Sequence, residues 1–178
     1  MTPERTQKLQ RMLQRRQHNL TVLLEDVYKP HNLSAILRTC DAVGINTVHA
    51  IRPTGGVPTY NDTSGGSHKW VKLLVHSCLQ DALTQLRQQH MHIYAAHFSP
   101  QAIPYRQVDY TQPSCIVLGN EKDGISPAAA QQTDTHIVIP MMGMVPSLNV
   151  SVAAAVILFE AQHQRQLAGL YNNTNPNK

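Results

Sequence analysis

Aromatic residues are scarce. Two phenylalanines, one tryptophan and six tyrosines make up 5% of the 178 residues. Charged residues are scarce as well, at 15%. A chain so poor in charge is not a polyelectrolyte that stays unfolded. Its 42% of hydrophobic residues can close the core of one domain. Cysteine is limited to Cys40, Cys78 and Cys115, far apart and odd in number. Neither a disulfide framework nor a CxxC-type metal site follows from that spacing. The 10 histidines form no HExxH pattern. No apolar run approaches the roughly 18 residues of a membrane span. The first residues, Met1-Thr2-Pro3-Glu4-Arg5, lack the apolar stretch of a secretory signal. These absences lead to the expectation of a cytoplasmic, reduced protein, with no metal and no membrane partner.

Positive charge is present, and it is localised. The first 20 residues hold Arg5, Lys8, Arg11, Arg15 and Arg16 against Glu4 alone, while the rest of the chain balances ten basic with ten acidic groups. The net charge of +4 therefore belongs to an N-terminal segment. Such asymmetry suits a basic arm that faces an anionic polymer, nucleic acid above all, or else a solvated helix whose charge has no specific partner. Thr2-Pro3 is a helix start. Leu9, Met12 and Leu13 give that helix a narrow apolar stripe, with its arginines mostly outward.

Beyond residue 20 short apolar runs alternate with helical periodicity. Strands are expected over 20–24, 47–51, 71–76, 92–96, 115–118 and 136–139. Helices are expected from Asn32, as cap, through Val43 to a stop at Gly44, from a Ser77 cap over 79–89, from Ser126-Pro127, and from Ser147 to Leu167, with a stop near Gly169. This alternation predicts an α/β domain with a mostly parallel sheet. The expected organisation is a basic helical extension over 1–19, one domain over 20–170 and a polar tail over 171–178. No G-x-G-x-x-G turn follows the first strand. Turn-rich segments lie instead at 54–56, 64–67, 119–124 and 140–146. The last two follow strands late in the chain, where loops at the carboxyl ends of parallel strands bind ligands.

Three constellations carry possible chemistry. The first runs from His31-Asn32 to Arg38, which stands between Leu37 and Thr39 on an otherwise apolar helix. Arg38 is either a functional cation or the partner of Asp41 or Asp123. The second is Leu118-Gly119-Asn120-Glu121-Lys122-Asp123-Gly124, a loop at a strand end. It is either a polar turn or a backbone cradle, with Gly119 permitting close approach and Gly124 a positive φ. The third is Ile139-Pro140-Met141-Met142-Gly143-Met144-Val145-Pro146-Ser147-Leu148-Asn149-Val150-Ser151. A loop this apolar is expected to pack inside the fold or to line a pocket, and methionine suits a flat, polarizable ligand.

Taken together, in this order, the three resemble the motifs of the SpoU/TrmH branch of the SPOUT superfamily of RNA methyltransferases. The resemblance spans roughly residues 20 to 168. It implies a parallel sheet flanked by helices, a C-terminal deep trefoil knot, and, with the basic N-terminal helix, the fold of that branch. A knot breaks the rule that chains do not thread their own loops. It would place the 142–146 loop inside the fold.

The resemblance further implies S-adenosylmethionine as cofactor, held by Leu118, Gly119, Glu121, Ile139, Met144, Ser147 and Leu148. It implies transfer of a methyl group to a ribose 2′-oxygen, with Arg38, Asn32, Glu121, Asn149 and Ser147 as catalytic residues. Arginine is normally protonated, so Arg38 either loses its proton or holds a phosphate or the developing oxyanion. The RNA partner would be tRNA, at a D-loop guanosine, gripped by Arg5, Lys8, Arg11, Arg15 and Arg16. The open alternatives are another RNA (ribosomal RNA or a wobble ribose), a non-catalytic RNA-binding protein, and a nucleotide-binding regulator. The family also implies a homodimer. Val150 to Leu158 is apolar on almost every face, and a helix of that kind needs cover on every face.

Overall fold

Two apolar runs, β1 (Leu20–Leu24) and β6 (Ser114–Leu118), are buried at every position in the computed structural model, which describes residues 2–51 and 70–171. A strand that is mostly apolar and buried along its whole length has cover on both faces, which places it in the middle of a parallel sheet. β1 and β6 are indeed parallel neighbours, Leu20 opposite Ser114 through Leu24 opposite Leu118. On one side β1 is followed by β2 (Thr47–Ile51) and β3 (Lys72–His76). On the other, β6 is followed by β4 (His92–Ala96), β7 (Thr135–Val138) and the two-residue β5 (Ile103–Pro104). Every pairing is parallel. β5 lies beyond the expected set. Its proline has no N–H to donate and so suits the sheet edge it occupies. The expected segments 54–56 and 64–67, and the tail from 172, lie outside the described residues.

Side chains that alternate along the strands divide the core. Val22, Leu24, Ile116 and Leu118 face α2 (Pro30–Ala42) and α5 (Val150–Leu167), where Leu33, Ile36, Leu37, Ala154, Ile157, Leu158 and Ala161 close on them. Leu23, Cys115 and Val117 face the other way, toward Ala82, Leu83 and Leu86 of α3 (Leu79–Gln88) and Ala129 of α4 (Pro127–Gln132). The loops that leave the neighbouring strands β1 and β6 therefore run to opposite faces. Such a divergence opens a crevice at the strands' carboxyl ends.

Three helix starts differ from expectation. α2 begins at Pro30, with Lys29 as a cap that makes no side-chain hydrogen bond, so Asn32 sits in the first turn and not at the cap. Proline's fixed φ starts the helix there without help from a side chain. α3 begins after Cys78, while the Ser77 hydroxyl donates to Asp81 instead of capping. α5 begins at Val150, because the Asn149 side chain accepts from the Ser151 N–H, and Ser147 stays in the irregular segment before it.

α1 (Pro3–Gln14) buries none of its residues, and Leu13 of its apolar stripe is exposed. The chain just after it is pinned by Arg16. Arg16 donates to the Ile45 carbonyl at 2.9 Å and to Asp41 at 2.8 Å, and it is buried rather than outward. Arg165, fully buried on α5, donates five hydrogen bonds, to the carbonyls of Tyr110, Asn19 and Gln112 and the side chains of Gln17 and Asn19. It ties α5 to the start of β1. No helix among the described residues is long and apolar enough to cross a membrane.

His49, buried in β2, shares a 2.8 Å hydrogen bond with His76 of β3. Burial, with the His76 ring adding to it, pushes the His49 imidazole down to about 4. Its folded value lies below the ordinary 6.5, so its contribution to stability is complete above pH 6.5 and is lost as pH falls toward 4. Urea unfolding should therefore give a lower midpoint at pH 5 than at pH 7.5. His49→Gln should lose that part of the slope, and an identical slope in the variant would contradict the assignment.

Candidate active site

The crevice at the carboxyl ends of β1 and β6 is built by a pinched turn. Asn120 and Gly124 exchange both backbone hydrogen bonds at 2.9 Å, and Gly124 has φ +72°. The Asn120 side chain accepts from the N–H groups of Lys122 and Asp123 and donates to Asp26. A side-chain carbonyl that mimics the backbone in this way fixes the turn. Glu25 braces its far end, accepting from the Ser126 N–H at 2.8 Å and from its hydroxyl at 2.6 Å. Gly119 is buried where the turn closes, and a methyl group there would overlap the Gly124 carbonyl and the Ile125 nitrogen. Glu25 and Asp26 belong to a segment, 25–32, that carries part of the family resemblance, but their contacts could not be read from the sequence, because the partners lie 101 and 94 residues away.

The turn aims Glu121 at the first turn of α2. The Asn32 amide donates to the Glu121 carboxylate at 2.7 Å. Its own carbonyl oxygen accepts from the Asn149 amide at 3.1 Å. Asn149 in turn accepts from the N–H and hydroxyl of Ser151, at 2.9 and 2.6 Å. One polar chain thus joins all three constellations, and Asn32, only 2% exposed, is its middle link. The second oxygen of Glu121 is buried with no hydrogen-bond partner among the described residues. A buried acceptor left unsatisfied costs about 1–3 kcal/mol, so this oxygen is a place for a ligand's donor.

The other expected site residues divide. Leu118 is buried at the end of β6, Ile139 is half-buried just after β7, and Leu148 is half-buried just before α5. Met144 and Ser147 are exposed, and Met142 and Val145 are exposed with them. The 142–146 loop thus does not pack inside this single chain, contrary to the first of the two expected alternatives, and a pocket-lining role is the one left. Two prolines and a glycine hold it in an irregular path that leaves its methionines outward. Arg38 does not join the polar chain. It is exposed on α2, pairs with neither Asp41 nor Asp123, and has no hydrogen-bond or ion-pair partner among the described residues. Asp41 is taken by Arg16. Of the basic set, Arg5, Lys8 and Arg11 are exposed and Arg15 is half-buried, while Arg16 is committed to the fold. Among the described residues no three His, Cys, Asp or Glu side chains cluster as metal ligands.

The sequence profile of the SpoU rRNA methylase family matches residues 19–159. The chain belongs to the SpoU methylase family. A relative from Thermus thermophilus, tRNA (guanosine(18)-2′-O)-methyltransferase, is 58% identical over 171 residues, covering 96% of this chain and 88% of that protein. The crystal structure of the Aquifex aeolicus TrmH/SpoU tRNA modifying enzyme superposes with a TM-score of 0.89 at 40% identity, over 97% of this chain and 88% of that one. An AdoMet-bound rRNA methyltransferase from Sinorhizobium meliloti superposes with a TM-score of 0.75 at 28% identity, over 84% of this chain and 59% of that one. Within this SpoU member the pinched turn should be sensitive to a single methyl group. Gly119→Ala, which overlaps backbone, should cost about 1–3 kcal/mol. Gly124→Ala has open space around it, faces only its positive φ, and should cost about 1 kcal/mol. Urea unfolding of the two variants checks that order, and the reverse order would contradict the packing.

Proposed function

We propose that this chain transfers the methyl group of S-adenosylmethionine to the ribose 2′-oxygen of guanosine 18 in tRNA. The long, high-identity match to an enzyme of that name carries the choice of substrate. The polar chain from Glu121 through Asn32 to Asn149 supplies a site able to do the chemistry. The residues fit the cofactor in kind. Leu118, Ile139, Met144 and Leu148 offer apolar contact, Gly119 and Ser147 offer backbone access, and the free Glu121 oxygen offers an acceptor for an ammonium or a hydroxyl. When bound, the cofactor supplies a methyl group made electrophilic by a sulfonium.

The protein's own part is mainly positioning, because the reaction is a single in-line displacement. Asn32 locks the Glu121 turn to the start of α5, so the two cofactor-side loops move as one. Arg38, a cation on an exposed helix face, holds the ribose–phosphate and steadies the charge that builds on the 2′-oxygen. Arg5, Lys8, Arg11 and Arg15 of the N-terminal extension, residues 1–19, meet tRNA phosphates, giving a salt-dependent grip. Arg16 is withdrawn from that set. Residues 20–170 form the transferase domain, with residues 171–178 as tail, and the family fold implies a deep trefoil knot late in that domain.

The active form we infer is a homodimer in the cytoplasm, where tRNA is found. Val152 and Phe159 of α5 are each 47% exposed, and Met142 and Met144 are almost fully bare. Exposed apolar surface of this kind marks an interaction site, and a second copy would cover it.

The test is incubation with S-adenosylmethionine and tRNA, followed by mass mapping of ribose methylation. Methylation confined to guanosine 18 is expected. Methylation of ribosomal RNA instead, or none, would overturn the reading. Arg38→Ala should lose about 10²-fold or more in turnover, with cofactor affinity retained by calorimetry. Normal turnover would remove Arg38 from the mechanism.

A further inference from the structure

One surface feature has no part in the cofactor site. Arg5, Lys8, Leu9 and Met12 stand at i, i+3, i+4 and i+7 on α1, a single helical stripe. They form one wall of a cleft of about 640 Å³, closed by Asp41 and Trp70. Leu9 and Met12 are half-buried, whereas Arg5 and Lys8 are exposed. Trp70, the chain's one tryptophan, leaves 44% of itself exposed just before β3. Asp41 is offset by Arg16 at 2.8 Å, so among the described residues lining the cleft the unpaired charge is positive. The Arg16 clamp fixes the chain just after α1 to Ile45 and to Asp41 of the cleft.

We propose that this cleft takes an unpaired nucleobase of the tRNA, stacked on the indole of Trp70, with its flanking phosphates on Arg5 and Lys8. The chemistry matches on both counts. An aromatic ring over an apolar floor suits the π-face of any base, and two cations one turn apart suit the backbone beside it. A base paired within a duplex could not offer that face. The site would therefore read single-stranded or splayed RNA, as protein modules that stack bases on aromatic side chains do. It lies on the N-terminal extension and the β2–β3 side of the sheet, so it would act on the grip and not on the methyl transfer itself. The inference rests on the reading of this chain as a tRNA methyltransferase.

The single tryptophan makes the test direct. Indole emission is followed while the full-length protein is titrated with tRNA, with saturation established separately by filter binding. Quenching by tRNA is expected, with none from S-adenosylmethionine alone and little from a perfect RNA duplex. Trp70→Leu, which keeps apolar bulk, should weaken tRNA binding roughly ten-fold or more. Trp70→Phe, which keeps an aromatic face, should bind nearly as the native protein does. Both should keep the native cofactor affinity and melting temperature. Unchanged emission at saturating tRNA would overturn the proposal, as would equal quenching by duplex. Equal tRNA affinity for the Leu and Phe variants, or emission that changes with protein concentration alone, would overturn it too. Methylation of guanosine 18 by a Trp70→Leu protein with native KM would sink the cleft and leave the function standing. Absence of methylation by the native protein would sink the function, while the quenching still reports on the cleft.

Discussion

The hydrogen bonds that Asn32 makes in both directions are the constraint on which the site depends. Three segments far apart in sequence, the start of α2, the turn after β6 and the residue that caps α5, have no covalent reason to meet. An amide that donates to Glu121 and accepts from Asn149 satisfies both ends of one buried side chain at once. Buried polar groups joined in this way specify an arrangement strongly, because any alternative leaves a donor or acceptor without a partner. Moving the start of α2 breaks both bonds, and moving either of the other segments breaks its bond to Asn32. Among the described residues the second Glu121 oxygen is the atom of this polar chain that is buried with no partner at all, and that spare oxygen is where the chain opens to a ligand.

The sheet explains why this meeting happens where it does. β1 and β6 are central because they are apolar apart from Thr21 and Ser114, whose hydroxyls donate to backbone carbonyls, and their outgoing loops diverge because α2 and α4 cover opposite faces. The crevice between them is a consequence of burying two mostly apolar strands. Apolar residues also remain bare on one chain, in the 142–146 loop and on the outer face of α5. A helix that buries Ala154, Ile157, Leu158 and Ala161 on one side while presenting Val152 and Phe159 on the other has done half of what its sequence asks.

Much of this was legible in the residues. The strand runs and the helix through Leu37 follow from burial and periodicity, which are local properties. The order of the three motifs was legible as a family resemblance, and that resemblance picked out Asn32, Glu121 and Asn149. Local rules failed where a long-range contact outbid them. Asn32 looked like a cap because asparagine often is one, yet Pro30 had already started the helix and freed the amide to reach Glu121. Arg16 looked like one more outward cation, and only the fold shows Asp41 and the Ile45 carbonyl waiting for it. The methionine loop looked like interior or a pocket wall because apolar residues rarely face water, and a single chain leaves Met142 and Met144 bare, which removes the interior reading. The bracing roles of Arg165 and Glu25 could not be read from the sequence, since their partners are set by topology.

The most direct measurement is a double-mutant cycle on cofactor binding, with Asn32→Ala, Asn149→Ala and the pair compared with the native protein by calorimetry. If the polar chain holds the two cofactor-side loops as one unit, the losses in S-adenosylmethionine affinity should be non-additive, with a coupling of about 0.5–3 kcal/mol. Losses that add to within about 0.3–0.5 kcal/mol would mean that the two asparagines act independently, and would contradict the account.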